Sequence, residues 1–355
     1  ASGRLVALEP KVPLANLFRM LEYAYGLRSF DFLDGVVDCA TLADLYQRLA
    51  GLLARMVRAR LRRGVYRRYE GREERLACIR GRLDVTDLMV RAWEVERRCR
   101  FQEHTADVDE NSLLAWTLER VLRSGLCTEP ETAALARAAY RELLAVCEVR
   151  PFRADDCGRF LYSRLNDDYR ALHALCRFFL ENSGPTIDAG TRAMVPFRVD
   201  MARLFERFVA EWLRVHLPNT LVVSAQESLW VGGPEPVEFV ADVVLRRADT
   251  GEAVMVLDTK YKVDAKPQAS DVEQVVAYAV GYGCGRGVLV YPGHMTRYDA
   301  VLGRTRVTAA AFDTSSTTAA AGTMFLESLD RAVAQTPCAS GLAIQTDLRG
   351  ASAAN

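Results

Sequence analysis

Two runs rich in β-branched residues, joined by a short polar turn, constrain the fold of this 355-residue chain more than any other feature. The first is Phe239-Val240-Ala241-Asp242-Val243-Val244-Leu245. The second is Val254-Met255-Val256-Leu257-Asp258-Thr259-Lys260-Tyr261-Lys262, and Arg246 to Glu252 form the turn. Such runs read as neighbouring antiparallel strands of a hairpin. Side chains alternate along a strand, so Asp258, Lys260 and Lys262 are expected on one face with Val254 and Val256. A hairpin symmetric about Thr250 sets residue 242 directly across from residue 258. The Cβ atoms of such neighbours lie roughly 4.5–5.5 Å apart, and two carboxylates that close repel unless a cation separates them.

Around this hairpin the apolar spacing predicts helices over 14–25 and 41–63, extended strands within 65–86, and helices near 109–124, 130–147 and 166–182. Ser183-Gly184-Pro185 is a strong breaker, and the domain boundary is expected there or near Pro196. Beyond it Leu204, Phe205, Phe208, Val209, Trp212 and Leu213 form an apolar helical stripe. Strands follow at 221–231, 237–246 and 253–262, then a helix at 270–282, strands at 286–292 and 305–313, and a helix at 323–335. This predicts a mixed α/β fold, a helix-rich domain over 1–185 ahead of an α-β-β-β-α-β core over 196–335. The small, polar tail over 336–355 is expected to be disordered.

Composition narrows the function classes. Half the residues are hydrophobic and 26% charged, as in soluble globular proteins. No apolar run reaches the ~18 residues of a membrane span, so no transmembrane helix is expected, and without a charged-then-apolar opening a secretory signal peptide is not expected either. The nine cysteines are scattered without a C-x-x-C pair, and the four histidines lack metal-ligand spacing. Reduced thiols in a cytoplasm fit this pattern better than disulfides or zinc. No phosphate-cradling G-x-x-x-x-G-K-[ST] is present. Net charge is zero, yet Arg55 to Arg82 is dense in arginine. Arg62, Arg63, Arg67 and Arg68 are candidates for a DNA- or partner-facing patch, against the alternative of a solvated face paired with Glu70, Glu73 and Glu74. Lysine occurs only as Lys11, Lys260, Lys262 and Lys266. Its clustering beside Asp258 matters, because an ammonium is a compact charge and a guanidinium a wide fork.

Asp242 and Asp258, with the backbone carbonyl of Thr259, supply the hard oxygens that magnesium prefers, and manganese could replace it. Lys260 can orient or stabilise an attacking water or hydroxide, while the metal lowers that water's pKa. Together these are the parts needed to hydrolyse a phosphodiester. Gln274 and Tyr278 lie four apart on the next helix, so they share a face. The stripe Val272, Val275, Val276, Ala279 and Val280 is expected to pack on the sheet, with Gln274 and Tyr278 at its margin. Glu206, on the preceding helix, can hold a metal-bound water from the other side. Lys262 is a further candidate DNA contact.

These residues resemble the PD-(D/E)xK nuclease fold, in the RecB-like branch with a Gln-x-x-x-Tyr motif, here Gln274-Val275-Val276-Ala277-Tyr278. Ala241 stands where that family often has proline. The chain also resembles McrC proteins over about residues 5 to 335. The segments that carry this likeness are Leu14 to Tyr25, Gly64 to Tyr69, Ile79 to Asp84, Asn111 to Leu114, Asp200 to Glu206 and Leu257 to Lys262. The family usually has more chain before Pro10-Lys11-Val12-Pro13. The resemblance implies the endonuclease subunit of a modification-dependent (type IV) restriction complex, with Mg2+ at the site. It implies an McrB-like AAA+ ring that hydrolyses GTP as partner, and double-stranded DNA carrying modified cytosine as substrate. A non-cutting activator of an AAA+ motor and a stand-alone RecB-like exonuclease are the competing readings.

Overall fold

The computed structural model describes residues 14–26, 41–183, 197–233, 235–262, 266–293, 295 and 297–334. The Pro10–Pro13 segment, the breaker beyond Ser183 and the tail from Thr336 lie outside the described residues. The chain divides into two compact units, one of residues 41–198 and one of residues 199–355 with 1–40. Helix α1 (Leu14–Ala24) belongs to the latter.

The unit of residues 41–198 starts with α2 (Leu42–Arg62), capped at Thr41 by a reciprocal box with Asp44 that satisfies two otherwise orphaned N–H groups. Leu45, Leu49, Leu52, Leu53 and Val57 bury one face of this helix. Strands β1 (Arg68–Leu76) and β2 (Arg82–Leu83), helix α3 (Val85–Val90) and strand β3 (Arg97–Thr105) follow. Among the described residues the three strands form one antiparallel sheet in the order β1-β3-β2. Helices α4 (Asp109–Arg123), α5 (Pro130–Leu144) and α6 (Tyr169–Asn182) complete the unit. The 65–86 stretch is therefore two strands running into a helix, and β3 is an element whose alternation of arginine with apolar residues was not read as a strand.

Most of the arginine-dense stretch is paired within this unit. Arg63 meets Asp168 at 3.3 Å, Arg68 meets Glu70 at 2.8 Å and Glu110 at 3.0 Å, and Arg75 meets Asp87 at 2.7 Å. Arg62 and Arg67 are exposed. Apolar groups are exposed as well: Met89 and Trp93 keep 79% of their surface open to solvent and Val95 80%.

In the other unit, α7 (Met201–His216) is capped by Asp200, whose carboxylate accepts from Ala202 N at 3.1 Å and Arg203 N at 3.2 Å. It is followed by β4 (Leu221–Val231), β5 (Val237–Arg247), β6 (Ala253–Thr259), α8 (Ala269–Gly281), β7 (Arg286–Tyr291), β8 (Asp299–Leu302), β9 (Thr305–Ala311) and α9 (Thr318–Ala334). The order is the expected α-β-β-β-α-β, extended by a β8–β9 hairpin and a helix that begins at Thr318, ahead of the expected 323. Among the described residues the sheet has six strands in the order β4-β5-β6-β7-β9-β8. β4, β5 and β6 are antiparallel, whereas β6, β7 and β9 are parallel. Parallel neighbours need a long crossover, which α8 supplies between β6 and β7. Every residue of β7 is buried, as expected of a central strand covered on both faces.

Aromatic side chains of α7 fill one side of the sheet. Phe208 and Trp212 meet Phe312 edge-on, with ring centroids 4.8 and 5.1 Å apart. Helix α1 packs on α7 through Tyr23 and Phe208, 5.6 Å apart. The sequence grouped this helix with residues 1–185; its apolar face instead belongs to the core of the unit that follows.

On the opposite side Val272, Val275, Tyr278 and Ala279 of α8 are buried, but Val280 is 65% exposed. The contact stripe is narrower than expected, because 280 has rotated past the sheet. Tyr278 replaces it in the core, packed with Ala241, Val244 and Val256. The helix sits close over Gly287, where a Cβ would meet Val275 Cγ2 at 2.8 Å. Gly287→Ala should therefore overpack this contact at a cost of about 1–3 kcal/mol. Its Tm, measured by calorimetry, should fall by several degrees; an unchanged Tm would contradict so close an approach.

Candidate active site

The β5–β6 ladder pairs Val243 with Leu257, Val244 with Val256 and Leu245 with Met255. Carried on by one residue, this register sets Asp242 across from Asp258, as hairpin symmetry predicts. The strands then part. Thr259 N donates to Asp242 Oδ2 at 2.7 Å and Thr259 Oγ1 donates to the same oxygen at 2.8 Å. A carboxylate has thus taken the place of a backbone acceptor, and β6 ends at Thr259.

This ending corrects the expected extension of the strand to 262. Lys260 N donates to Val290 O at 2.8 Å, and Lys262 N donates to Lys260 O at 2.8 Å. The latter closes a three-residue turn, so Lys262 no longer continues the pleat. Its ammonium lies 3.0 Å from Asp271 Oδ2 on α8, which fastens the turn to the helix.

Lys260 Nζ stands 2.8 Å from Asp258 Oδ2 and donates to Gln274 Oε1 at 2.8 Å. Gln274 Nε2 in turn donates to Tyr278 Oη at 2.8 Å. Asp258, Lys260, Gln274 and Tyr278 are therefore one polar chain running from the buried strand to the helix. Asp258 is 2% exposed, and its Oδ2 faces the ammonium out of hydrogen-bond alignment. Glu206 reaches the neighbourhood of Asp242 from α7, and Gln226 of β4 donates to it. Arg62, Arg63, Arg67 and Arg68 belong to the unit of residues 41–198.

Electrostatics mark the acidic group. Burial, and then the charge of Asp242, push Glu206 up from 4.5 to about 7, against the Gln226 hydrogen bond. Burial raises Asp258 to about 6; Lys260 opposes the rise and Asp242 and Asp271 add to it. Asp242 is also raised by burial, against its two hydrogen bonds from Thr259. Lys260 is held up: burial lowers it, but Asp258, Asp271 and Asp242 outweigh burial. Crowded carboxylates raised by burial and mutual repulsion are the donor set a divalent cation would relieve. Among the described residues no three His, Cys, Asp or Glu side chains form a ready cage. An ion would rest on Asp242, Asp258, the Thr259 carbonyl and water, the sparse protein set that magnesium uses.

Sequence reasoning did not single out Asp271 or Gln226. Asp271 is legible as the third helical residue of a capping box with Gln268. Nothing in the sequence announces Gln226, whose importance lies in its backbone angle.

A family model described as McrBC 5-methylcytosine restriction system component matches residues 2–292. No curated protein matches the chain. Among solved structures, the refined half-complex from the tetradecameric assembly of Thermococcus gammatolerans McrB AAA+ hexamers with bound McrC matches with a TM-score of 0.55. That match has 21% identity and covers 90% of this chain and 76% of the other. The cryo-EM structure of the Thermococcus gammatolerans McrBC complex matches at 22% identity with a TM-score of 0.43, over 58% of this chain and 59% of the other. The first likeness bears out the mixed α/β fold. Among the described residues no helix is long and apolar enough to cross a membrane.

The raised Glu206 has a measurable consequence. Its folded pKa lies above its ordinary value, so the native protein holds a proton that the unfolded chain releases. Stability from this group is present at low pH and is lost as pH rises from about 4.5 through about 7. Glu206→Gln removes the loss. In EDTA its Tm should exceed that of the wild type by a few degrees at pH 8, roughly 1 kcal/mol after solvent screening. The gap should shrink toward zero near pH 4, and an equal Tm at pH 8 would refute the burial of charge at this position.

Proposed function

Because the chain belongs to the family of McrBC 5-methylcytosine restriction system components, we propose that it is the DNA-cutting subunit of a modification-dependent restriction complex. The observation that carries this reading is the convergence of Asp242, Asp258, Lys260 and Gln274 where β5 and β6 part. The reaction is hydrolysis of a phosphodiester: water attacks phosphorus, and the bond to a sugar oxygen breaks. Magnesium or manganese held by Asp242, Asp258 and the Thr259 carbonyl would lower the pKa of a bound water and neutralise charge on the phosphate.

The remaining work falls to the protein's own groups. Lys260 places a compact positive charge beside the phosphoryl oxygens, where negative charge builds up in the transition state. Gln274 and Tyr278 fix the direction of that ammonium. Glu206, with a pKa of about 7, is poised to orient water or take its proton near neutral pH.

The partner reading draws on the McrB AAA+ hexamers with bound McrC in the Thermococcus gammatolerans assembly. In this proposal an AAA+ ring hydrolyses GTP and recognises double-stranded DNA carrying modified cytosine, while this chain stimulates the ring and cuts. The unit of residues 41–198 is the proposed partner- or DNA-facing half. The exposed Met89, Trp93 and Val95 favour a protein partner there, and the pairing of Arg63 and Arg68 leaves Arg62 and Arg67 as its freer charges. The intact Lys260–Asp258 pair favours a cutting subunit over a non-cutting adaptor.

Lys260→Arg keeps the charge opposite Asp258 but cannot reproduce a compact ammonium. With the motor partner present, DNA cleavage should fall by at least about 10²-fold, while GTP hydrolysis and Tm hold. Full cleavage by this variant would count against the nuclease reading. Gln274→Ala releases Lys260 and Tyr278 from each other. Its cleavage rate should drop by about tenfold or more with little change in Tm, because the side chain is exposed. A large loss of Tm with normal cleavage would instead assign Gln274 to helix packing.

A further inference from the structure

Gln226 is, among the described residues, the non-glycine residue with a left-handed backbone, at φ 51. Side chains rarely adopt that conformation, and glutamine gains nothing from it locally. Strain of this kind persists where its surroundings hold it and collects at functional sites.

The location of the strain is informative. In the β4–β5 ladder Ala225 pairs with Val243 and Glu227 with Ala241. The register is continuous across the gap, so Gln226 stands opposite Asp242, and Asp242 stands opposite Asp258 on the next strand. The strained residue therefore lies in line with both acids. Its amide donates to Glu206 on α7. Without that donor Glu206 has other attractions, because the positive charges of Arg203 and Arg207 act on it from its own helix.

We propose that Gln226 is a positioning residue, whose left-handed backbone turns its amide onto Glu206 and holds that carboxylate beside Asp242. This assignment rests on the nuclease reading of the site and adds a residue that acts through Glu206. The strained backbone is what the arrangement requires, since an ordinary extended residue would keep to the alternation of β4.

The test uses the full chain and Mn2+ as probe, with affinity measured by calorimetry and Tm measured in EDTA. Gln226→Gly accepts the left-handed angle without strain and lacks the amide. Its Tm should match or exceed that of the wild type, while Mn2+ affinity falls about tenfold, as for loss of a group that orients a metal site. In a Glu206→Gln background the same substitution should have no further effect on affinity, because the carboxylate that Gln226 positions is already gone. Wild-type affinity in Gln226→Gly, or an equal loss in both backgrounds, would overturn the role of Gln226 while leaving the nuclease reading standing. Wild-type protein that binds no Mn2+, or whose binding survives Asp258→Asn, would overturn the metal site itself and this inference with it.

Discussion

Everything at the site depends on one exchange of hydrogen-bond acceptors. Thr259 N would ordinarily continue the ladder to β5, but it donates to the Asp242 carboxylate. That substitution lets β6 leave β5 without stranding a buried N–H, a loss that would cost about 1–3 kcal/mol. It also fixes Asp242 at the fork. Just past the end of β6 the chain is still tied to β7, because Lys260 N donates to Val290 O, so Lys260 emerges at a defined height over the sheet. The same local event therefore opens the strands, orients one acid and delivers the lysine.

The acids at the fork are held against their own preference. Asp258 and Glu206 are raised to about 6 and about 7, a sign that burial in this fold favours protons there. Lys260 offsets part of this but is itself committed to Gln274. A fold built for stability alone would put amides or apolar groups in these places, since burying charge is costly even when it is paired. The site stores that cost, and a cation would release it.

Much of this was legible in the sequence, and the limits have physical causes. The hairpin register followed from symmetry about Thr250, and a one-residue slip would have put Asp242 and Asp258 on opposite faces of the sheet. Helices α2, α4 and α7 were readable because their apolar residues recur at helical spacing over three or more turns. Strand β3 was not, because arginines at 97, 98 and 100 conceal its alternation. The end of β6 was misplaced because Lys260-Tyr261-Lys262 continues the alternating pattern, and only the Asp242 carboxylate interrupts it. Tyr278 was expected at the margin, yet its ring is core while its hydroxyl belongs to the polar chain. Amphipathic side chains divide in this way, and spacing alone cannot apportion ring and hydroxyl.

Gly287 carries no side chain and is not among the candidate site residues, yet it leaves the room over β7 that Val275 of α8 occupies, where a Cβ would meet Cγ2 at 2.8 Å. Gln274 is fixed to that helix, and Lys260 is aimed by Gln274. The aim of the ammonium thus depends on the absence of one methyl group beneath the helix that carries Gln274. Inheritance of the site must then be guarded at a position that displays no chemistry at all. A lineage could keep every acid and the lysine intact and still lose its function there, silently, through a change that a survey of reactive groups would pass over.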